Sequence, residues 1–238
     1  MGVLTRLPED IHPSLWRASQ LAARVGAVLP CGDSAFAREL PDGGWPVGAL
    51  TEILLPQAGC GEWRLLRAPL AALASRHVLL VRPPHRLQPA ALTWLGLSCR
   101  NAMWVHTDTL ADTLWAVERA LHAGTCGAVL AWPGHLRGDA LRRLQVSAQA
   151  SDTFLVLFRP LDAARHTSPA PLRLALAPAK GGVMVTFIKR RGPQRDEPLY
   201  LPLAPAPVLL RQHATLDRHL PAAPADRSVP AELVDAGS

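Results

Sequence analysis

Two hydrophobic patterns alternate between Thr51 and Leu203, and this alternation restricts the fold more than any other feature of the chain. Short apolar runs, typical of buried strands, are separated by longer stretches with helical spacing. The runs are TEILLP (51–56), HVLLVRPP (77–84), AMWVHT (102–107), CGAVLAWP (126–133) and TFLVLFRP (153–160), and the stretches are 62–75, 86–97, 109–124 and 138–150. Because parallel strands need long right-handed crossovers, the alternation predicts an α/β fold with a mainly parallel twisted sheet flanked by helices on both faces.

The pattern changes after Pro160, where three apolar runs follow one another without helical spacers. They are PLRLALAP (171–178), GVMVTFIKRR (182–191) and PLYLPL (198–203). A turn signal, Lys180-Gly181-Gly182, lies between the first two. We therefore expect a C-terminal antiparallel β-meander that extends the parallel sheet at one edge.

The chain divides into three parts by composition. Residues 1–50 contain an amphipathic helix over 12–29 and a lead-in, residues 51–203 form the core with its meander, and residues 204–238 are rich in Pro and Ala. The last part lacks a sustained period and is predicted to be mostly disordered. Of the formal net charge of +6, the first two parts carry 22 basic and 15 acidic residues (+7), and the last part carries three basic and four acidic residues (−1).

Charge and cysteine usage narrow the class of protein. The positive excess permits an acidic partner such as nucleic acid, although it says nothing about the fold. The four cysteines form no C-x-x-C pair and are expected to be reduced. The first residues do not resemble a signal peptide and the sequence has no run of about 18 apolar residues, so we expect a cytoplasmic protein without a membrane span.

The loop after the first strand, LLPQAGCGEWRLL (54–66), has the short length and the glycines of a phosphate-binding loop but lacks its lysine and hydroxyl residues. It is short, contains Gly59 and Gly61, and opens a helix, where backbone N–H groups favour an anion. A P-loop continues with Lys and then Ser or Thr, whereas this chain continues with Glu62 and Trp63. A carboxylate repels a phosphate, and the only two lysines of the chain lie in the predicted meander. Nucleotide binding in the usual mode is therefore not expected.

The ordered motifs of residues 12–203 resemble the RecA recombinase core, and more closely its SulA-like relatives. The segments that carry the resemblance are LWRA (15–18), GGWPVGALTEILL (43–55), LWAVERAL (114–121), LRRLQ (141–145), FRP (158–160), SPAPLRLAL (168–176) and KRRG (189–192). Taken together, they are similar to the ImuA-like family of proteins associated with translesion DNA synthesis.

This resemblance implies a RecA-like sheet without the catalytic groups of the recombinase. The position of its P-loop lysine falls at Glu62, that of its water-activating glutamate at Pro84, and that of its metal-supporting aspartate at Trp132. An ATPase with these residues would lack the phosphate-binding lysine, the catalytic base and the metal-supporting carboxylate. We therefore expect a pseudo-ATPase that is not an enzyme and has no cofactor or metal, in which Gly59, Gly61 and Glu62 form a vestigial phosphate loop.

No other catalytic pattern is present in the sequence. The nine histidines form no H-E-x-x-H or H-x-x-H pair, and no serine lies in a G-x-S-x-G turn. Tryptophan is abundant, and any exposed member of the set is a candidate anchor for a partner. Five are expected to pack at the ends of elements: Trp16, Trp45, Trp104, Trp115 and Trp132.

Two basic clusters are the candidates for contact with DNA or a protein partner. One ends a strand and the other lies at the helix before TFLVLFRP: Lys189, Arg190 and Arg191 in the first, Arg137, Arg142 and Arg143 in the second. Arginine forks bind phosphates well, and the alternative is a solvated charged face or pairing with local carboxylates. The loop 161–170, which matches a DNA-holding loop of the recombinase, has only Arg165 and His166 as basic groups. Filament binding of the recombinase type is therefore not expected.

The family resemblance implies a non-catalytic accessory or scaffold subunit of an SOS-induced, mutagenic translesion DNA synthesis complex. The implied partners are an ImuB-like Y-family polymerase homologue and an error-prone replicative-type polymerase, with RecA and a weak contact to single-stranded DNA as further candidates. Three alternatives stay open. They are a SulA-type cell-division inhibitor that binds the tubulin-like division protein, a DNA-binding RecA-like ATPase, and a plain DNA-binding module.

Overall fold

The structure is a computed structural model and describes residues 27–203. Its strands are β1 (Val28–Leu29), β2 (Trp45–Pro46), β3 (Ala49–Leu55), β4 (His77–Val81), β5 (Ala102–Val105), β6 (Cys126–Ala131), β7 (Phe154–Pro160), β8 (Leu172–Ala179), β9 (Gly182–Lys189) and β10 (Leu199–Pro202). Its α-helices are α1 (Ser34–Glu39), α2 (Glu62–Leu65), α3 (Arg67–Ala72), α4 (Pro89–Trp94), α5 (Leu110–Ala123) and α6 (Gly138–Gln149). Two 3₁₀ helices, Pro41–Gly43 and Leu161–Arg165, complete the set.

Eight strands form one sheet in the order β10-β9-β8-β3-β7-β6-β4-β5. Strands β3 to β8 run parallel, and β9 and β10 are antiparallel to their neighbours. This confirms the predicted α/β class, with a mainly parallel sheet, flanking helices and an antiparallel C-terminal extension at one edge. Strand β8 begins the meander, antiparallel to β9, and joins it to the parallel sheet by pairing with β3. The 3₁₀ helix Leu161–Arg165 and the segment after it replace the α-helix that such a crossover normally contains.

The helix predicted over 12–29 is wrong at its C-terminal end. Val28 and Leu29 form β1 and pair antiparallel with β2, with Leu29 opposite Trp45. This pairing continues in a hydrogen bond from the Val47 N–H to the Ala27 carbonyl (2.9 Å), so the backbone of residues 27–29 is paired with the segment before β3 instead of within a helix. Residues 12–26 of that prediction, and the tail 204–238, lie outside the described residues.

Helix α5 matches its predicted span because both of its ends carry local capping signals. Thr109 precedes the helix, and its Oγ1 accepts a hydrogen bond from the Asp112 N–H (3.1 Å). Gly124 follows the helix in the left-handed conformation, with φ of 64°. The sequence signals for start and stop therefore locate this helix to within one residue.

The single helix predicted over 62–75 is instead two short helices, α2 and α3, that meet at Leu66. Pro69 explains the break, because it has no N–H to bond the Leu65 carbonyl and its ring clashes with that carbonyl in a continuous helix. Helix α4 is also shorter than predicted. It begins at Pro89, and the chain turns at Gly96 with φ of 80°, where a Cβ would lie 2.8 Å from the Ala71 Cβ.

The sheet is buried between two layers. Because side chains alternate along a strand, Ile53 faces one layer and Leu50 the other. The first layer contains α1 to α4, and its buried side chains include Phe36, Leu66, Leu70 and Leu92. The second contains α5 and α6, with Val117, Leu121, Leu141 and Leu144 buried. A smaller cluster of Leu54, Ala163 and Ala175 lies under the 3₁₀ helix Leu161–Arg165.

Candidate functional site

The glycine loop, residues 56–61, joins the carboxyl end of β3 to α2. Glu62, the first residue of α2, is buried with 1% of its surface exposed. Its Oε1 accepts a hydrogen bond from the Gly59 N–H (2.7 Å) and its Oε2 accepts one from the Gly61 N–H (3.1 Å). Hydrogen bonds to an ionised carboxylate are about twice as strong as neutral ones. The chain's own carboxylate therefore holds two of the N–H donors that a phosphate-binding loop offers to its ligand.

The second glycine of the loop is required by packing within the protein. Gly61 has φ of 120°, and a Cβ there would lie 2.5 Å from the Val183 Cγ1 on β9. Two residues past the start of α2, the Arg64 Nη1 donates to the carbonyl of Leu203, the residue that follows β10 (3.0 Å). By contrast, a Cβ at Gly59 would meet nothing within 4 Å, although its φ is 89°. The glycine loop thus packs against the C-terminal strands.

The environment of Cys60, in the same loop, disfavours its thiolate. Burial, together with the negative charge and hydrogen bond of Glu62, raises the pKa of Cys60 from 9.0 to about 11. The thiolate is the nucleophilic form of cysteine. Cys60 therefore stays protonated at neutral pH and does not supply a nucleophile to the loop.

An aromatic cluster lies beside the glycine loop at the carboxyl ends of β6 and β7. The Trp132 ring stacks on Phe158, with centroids 4.5 Å apart and planes at 17°. Trp63 on α2 completes the cluster, 5.6 Å from Trp132 and 6.5 Å from Phe158. Pro84, which was matched to the recombinase glutamate, is exposed in the loop after β4. The three positions matched to catalytic groups thus hold a buried carboxylate, a packed indole and an exposed proline.

The strand-end basic cluster is partly engaged by the protein itself. Arg190 donates to the Glu39 carboxylate (2.5 Å) and to the Glu39 backbone carbonyl (2.7 Å). Arg195 binds the other carboxylate oxygen (2.6 Å). The Lys189 Nζ donates to the Ser168 carbonyl (2.9 Å) but is exposed, as is Arg191. Arg190 is therefore a structural ion-pair partner, while Lys189 and Arg191 keep exposed charges.

The helical basic cluster lies on the other side of the sheet. Arg143 on α6 pairs with Glu118 on α5, with a distance of 3.0 Å between the Arg143 Nη2 and the Glu118 Oε1. Arg137 and Arg142 are exposed. Because α6 belongs to the second layer and the Arg190 partner Glu39 ends α1 in the first, the structure does not bring the two predicted clusters together.

A buried ionic network was missed by sequence reasoning. Glu52 on β3, fully buried, accepts from Arg159 on β7 (2.6 Å) and from Arg173 on β8 (2.5 Å). The remaining guanidinium donors bind loop carbonyls: Arg159 donates to Gly134 and Leu136, and Arg173 to Ala163 and His166. The network thus fixes the loops after β6 and β7 to the sheet. The signal in the sequence was one charged residue inside each of three otherwise apolar strands.

The tryptophans divide by exposure. Trp45 is fully buried, Trp104 and Trp132 are partly buried, and Trp115 on α5 is 64% exposed. Trp16 lies outside the described residues. The prediction of packing at element ends therefore fails for Trp115, which becomes the candidate anchor for a partner.

Residues 27–203 contain no cluster of three or more His, Cys, Asp or Glu side chains with an arrangement suited to a metal ion. Within the same range, no helix combines the length and apolar character needed to cross a membrane.

Comparison with known proteins shows similarity over only part of the chain. No family model matches the chain. The chain is 32% identical over 99 residues to the cell division inhibitor SulA of Photorhabdus laumondii, covering 42% of this chain and 56% of the relative. It is 34% identical over 87 residues to the cell division inhibitor SulA of Pectobacterium atrosepticum, covering 36% and 52%. The chain thus spans about half the length of the curated relatives it matches. These matches support a SulA-like relation over that part, and the ImuA-like assignment stays a prediction.

Proposed function

We propose that this protein is a non-catalytic, RecA-like accessory subunit that acts by binding other proteins in the SOS response to DNA damage. The observation that carries the proposal is the Glu62 carboxylate on the N–H groups of Gly59 and Gly61. A phosphate would have to displace that carboxylate or lie against it, and two unit charges 4 Å apart repel by roughly 1–4 kcal/mol near a protein surface. Without nucleotide turnover, function rests on the surfaces that the fold presents.

The specific role that we propose is assembly of a mutagenic translesion synthesis complex. The partners implied by the sequence resemblance are an ImuB-like Y-family polymerase homologue and an error-prone replicative-type polymerase. The SulA-like relation supports the SOS setting. The Glu52 network supports a scaffold, because its ion pairs and carbonyl contacts fix two loops at the carboxyl edge of the sheet.

Binding to the polymerase homologue tests this role. The ImuB-like protein of the same organism would be immobilised, and the full chain passed over it with and without Mg²⁺-ATP. We expect saturable binding that is unchanged by nucleotide. A Glu62→Lys variant, checked for folding by circular dichroism, would report whether an altered loop creates nucleotide dependence. Absence of binding by the wild-type chain would contradict the proposed role.

Inhibition of cell division is the second candidate, favoured by the names of both relatives. In this case the partner would be the tubulin-like division protein. Induced expression of the chain would lengthen cells, and the purified protein would bind the division protein and slow its assembly. If both effects are observed while the polymerase homologue is not bound, division inhibition replaces the translesion role.

A further inference from the structure

We propose that the outer surface of helices α5 and α6 docks an acidic amphipathic helix of a protein partner. This inference rests on the proposed function, in which the chain acts by binding proteins. We define the helix-pair surface by Trp115 and Arg119 on α5 and by Arg142 and Val146 on α6. None of these residues is engaged by the glycine loop or by the Glu52 network.

The first observation is the exposure of two large apolar side chains. Trp115 is 64% exposed and Val146 is 65% exposed, whereas the other exposed large apolar side chains of the described residues lie between 37% and 45%. Burial of such surface on association is favourable, and tryptophan is enriched among the residues that dominate binding energy. Exposure of these two side chains to water contributes nothing to the stability of the helix pair.

The second observation is the spacing of the two anchors. Glu118 and Arg143 bridge the helices, and Trp115 lies three residues before Glu118 while Val146 lies three residues after Arg143. Both helices run in the same direction, because each connects two parallel strands. The anchors are therefore offset by about 9 Å along the axes of two neighbouring helices, so that an elongated partner such as a helix can contact both.

The third observation is the charge around the anchors. Within the described part of the chain, neither Arg119 nor Arg142 forms an ion pair, and the Arg119 guanidinium lies 5.8 Å from the Trp115 ring centroid. Glu118 pairs with Arg143, and the two other carboxylates of these helices, Asp112 and Asp139, lie nearer the helix N-termini, three residues before Trp115 and Arg142 respectively. The charge that lies between the two anchors and is not paired is thus positive, and it complements carboxylates on a partner.

A protein helix fits this surface better than a nucleic-acid strand. Stacking on an exposed indole and contact with arginines are shared by both kinds of partner. However, Val146 is an apolar side chain with no role toward a phosphate backbone.

Photocrosslinking in the native host tests the proposal with the full chain. A benzophenone amino acid would replace Val146, and cells would be irradiated after DNA damage. A matched probe would replace Tyr200, an exposed aromatic on β10 at the opposite edge of the sheet (45% exposed). The crosslinked segment would then be sequenced by mass spectrometry.

We expect an adduct from position 146 but not from position 200, on an amphipathic helical segment with more acidic than basic residues. Trp115→Ala is expected to lower the adduct yield at least about tenfold, and Arg119→Glu with Arg142→Glu by about tenfold. An adduct on nucleic acid, an adduct on a basic segment, no protein adduct, or a yield insensitive to Trp115→Ala would overturn the proposal. An acidic helix of a protein other than a polymerase would leave this docking surface standing and contradict the translesion role.

Discussion

At the scale of single residues, Glu62 decides the chemistry of the glycine loop. The sequence indicated that a carboxylate follows Gly61 and would repel a phosphate. It could not indicate the direction of that side chain, which depends on the φ of 120° at Gly61 and on the contact of that residue with Val183. The structure shows the carboxylate turned back onto the loop, where it accepts hydrogen bonds from the N–H groups of Gly59 and Gly61.

Replacement of Glu62 by Ala is expected to lower the free energy of unfolding by about 1–3 kcal/mol, because the N–H groups of Gly59 and Gly61 lose their acceptor. Glu62→Gln retains one oxygen acceptor and is expected to cost less. Thermal unfolding of both variants measures the difference, and Glu197→Ala, at an exposed position, serves as control. Equal stability of the wild type and Glu62→Ala would show that the carboxylate does not hold the loop.

The buried Glu52 carries a second prediction. Glu52→Gln leaves the guanidiniums of Arg159 and Arg173 buried without a charged partner, so we expect a loss of about 3–5 kcal/mol in unfolding free energy. Glu118→Gln removes one partner of a more exposed pair, with Arg143, and is expected to cost at most about 1 kcal/mol. Urea unfolding compares the two variants. Similar losses in both would contradict the structural role assigned to the Glu52 network.

Cysteine reactivity gives a third prediction. Cys99 is exposed, whereas Cys60 is buried and its pKa is raised to about 11. At about pH 8, alkylation of the folded protein should therefore modify Cys99 rapidly and Cys60 slowly. The stability contributed by protonated Cys60 is full below the unfolded pKa of 9.0 and is lost as pH rises through about 11. Mass spectrometry after brief iodoacetamide treatment reads the sites, and rapid labelling of Cys60 in a Cys99→Ser variant would be the contrary result.

At the scale of elements, prediction succeeded where local signals agree and failed where a distant contact or a proline decides. Helix α5 has a capping threonine, an apolar stripe and a terminal glycine, so its bounds follow from the sequence. The break between α2 and α3 follows from Pro69, a signal that the apolar periodicity masked. The parallel pairing of β8 with β3 depends on a crossover without an α-helix, which strand patterns alone do not reveal.

The contact between the glycine loop and β9 makes a prediction at this scale. Gly61→Ala would place a Cβ 2.5 Å from the Val183 Cγ1, whereas a Cβ at Gly59 has open space, and both residues have positive φ. We expect Gly61→Ala to destabilise the protein more than Gly59→Ala and to increase hydrogen exchange in β9 and β10. Hydrogen exchange followed by mass spectrometry makes the comparison. Equal protection of β9 in the two variants would show that the loop does not hold the C-terminal strands.

At the scale of the whole molecule, the sheet class could be predicted from the sequence, whereas the arrangement of the candidate site could be predicted only in part. The structure puts Lys189 at the end of β9 and Arg142 and Arg143 on α6, while Arg190 and Arg191 follow the strand and Arg137 precedes the helix. Their separation on opposite layers, the capture of Arg190 by Glu39 and the pairing of Arg143 with Glu118 depend on tertiary contacts between residues far apart in the chain. Their contact with DNA or a partner stays a prediction.

Isothermal titration of the full chain with Mg²⁺-ATP and Mg²⁺-ADP tests directly whether the glycine loop binds a nucleotide. We expect no saturable heat for the wild type, because the Glu62 carboxylate holds the N–H groups of Gly59 and Gly61. Binding of the same preparation to its protein partner in the absence of nucleotide serves as the control that the protein is active. Saturable nucleotide binding that is lost on Gly59→Ala would show that the loop binds nucleotide and that the Glu62 carboxylate does not prevent it.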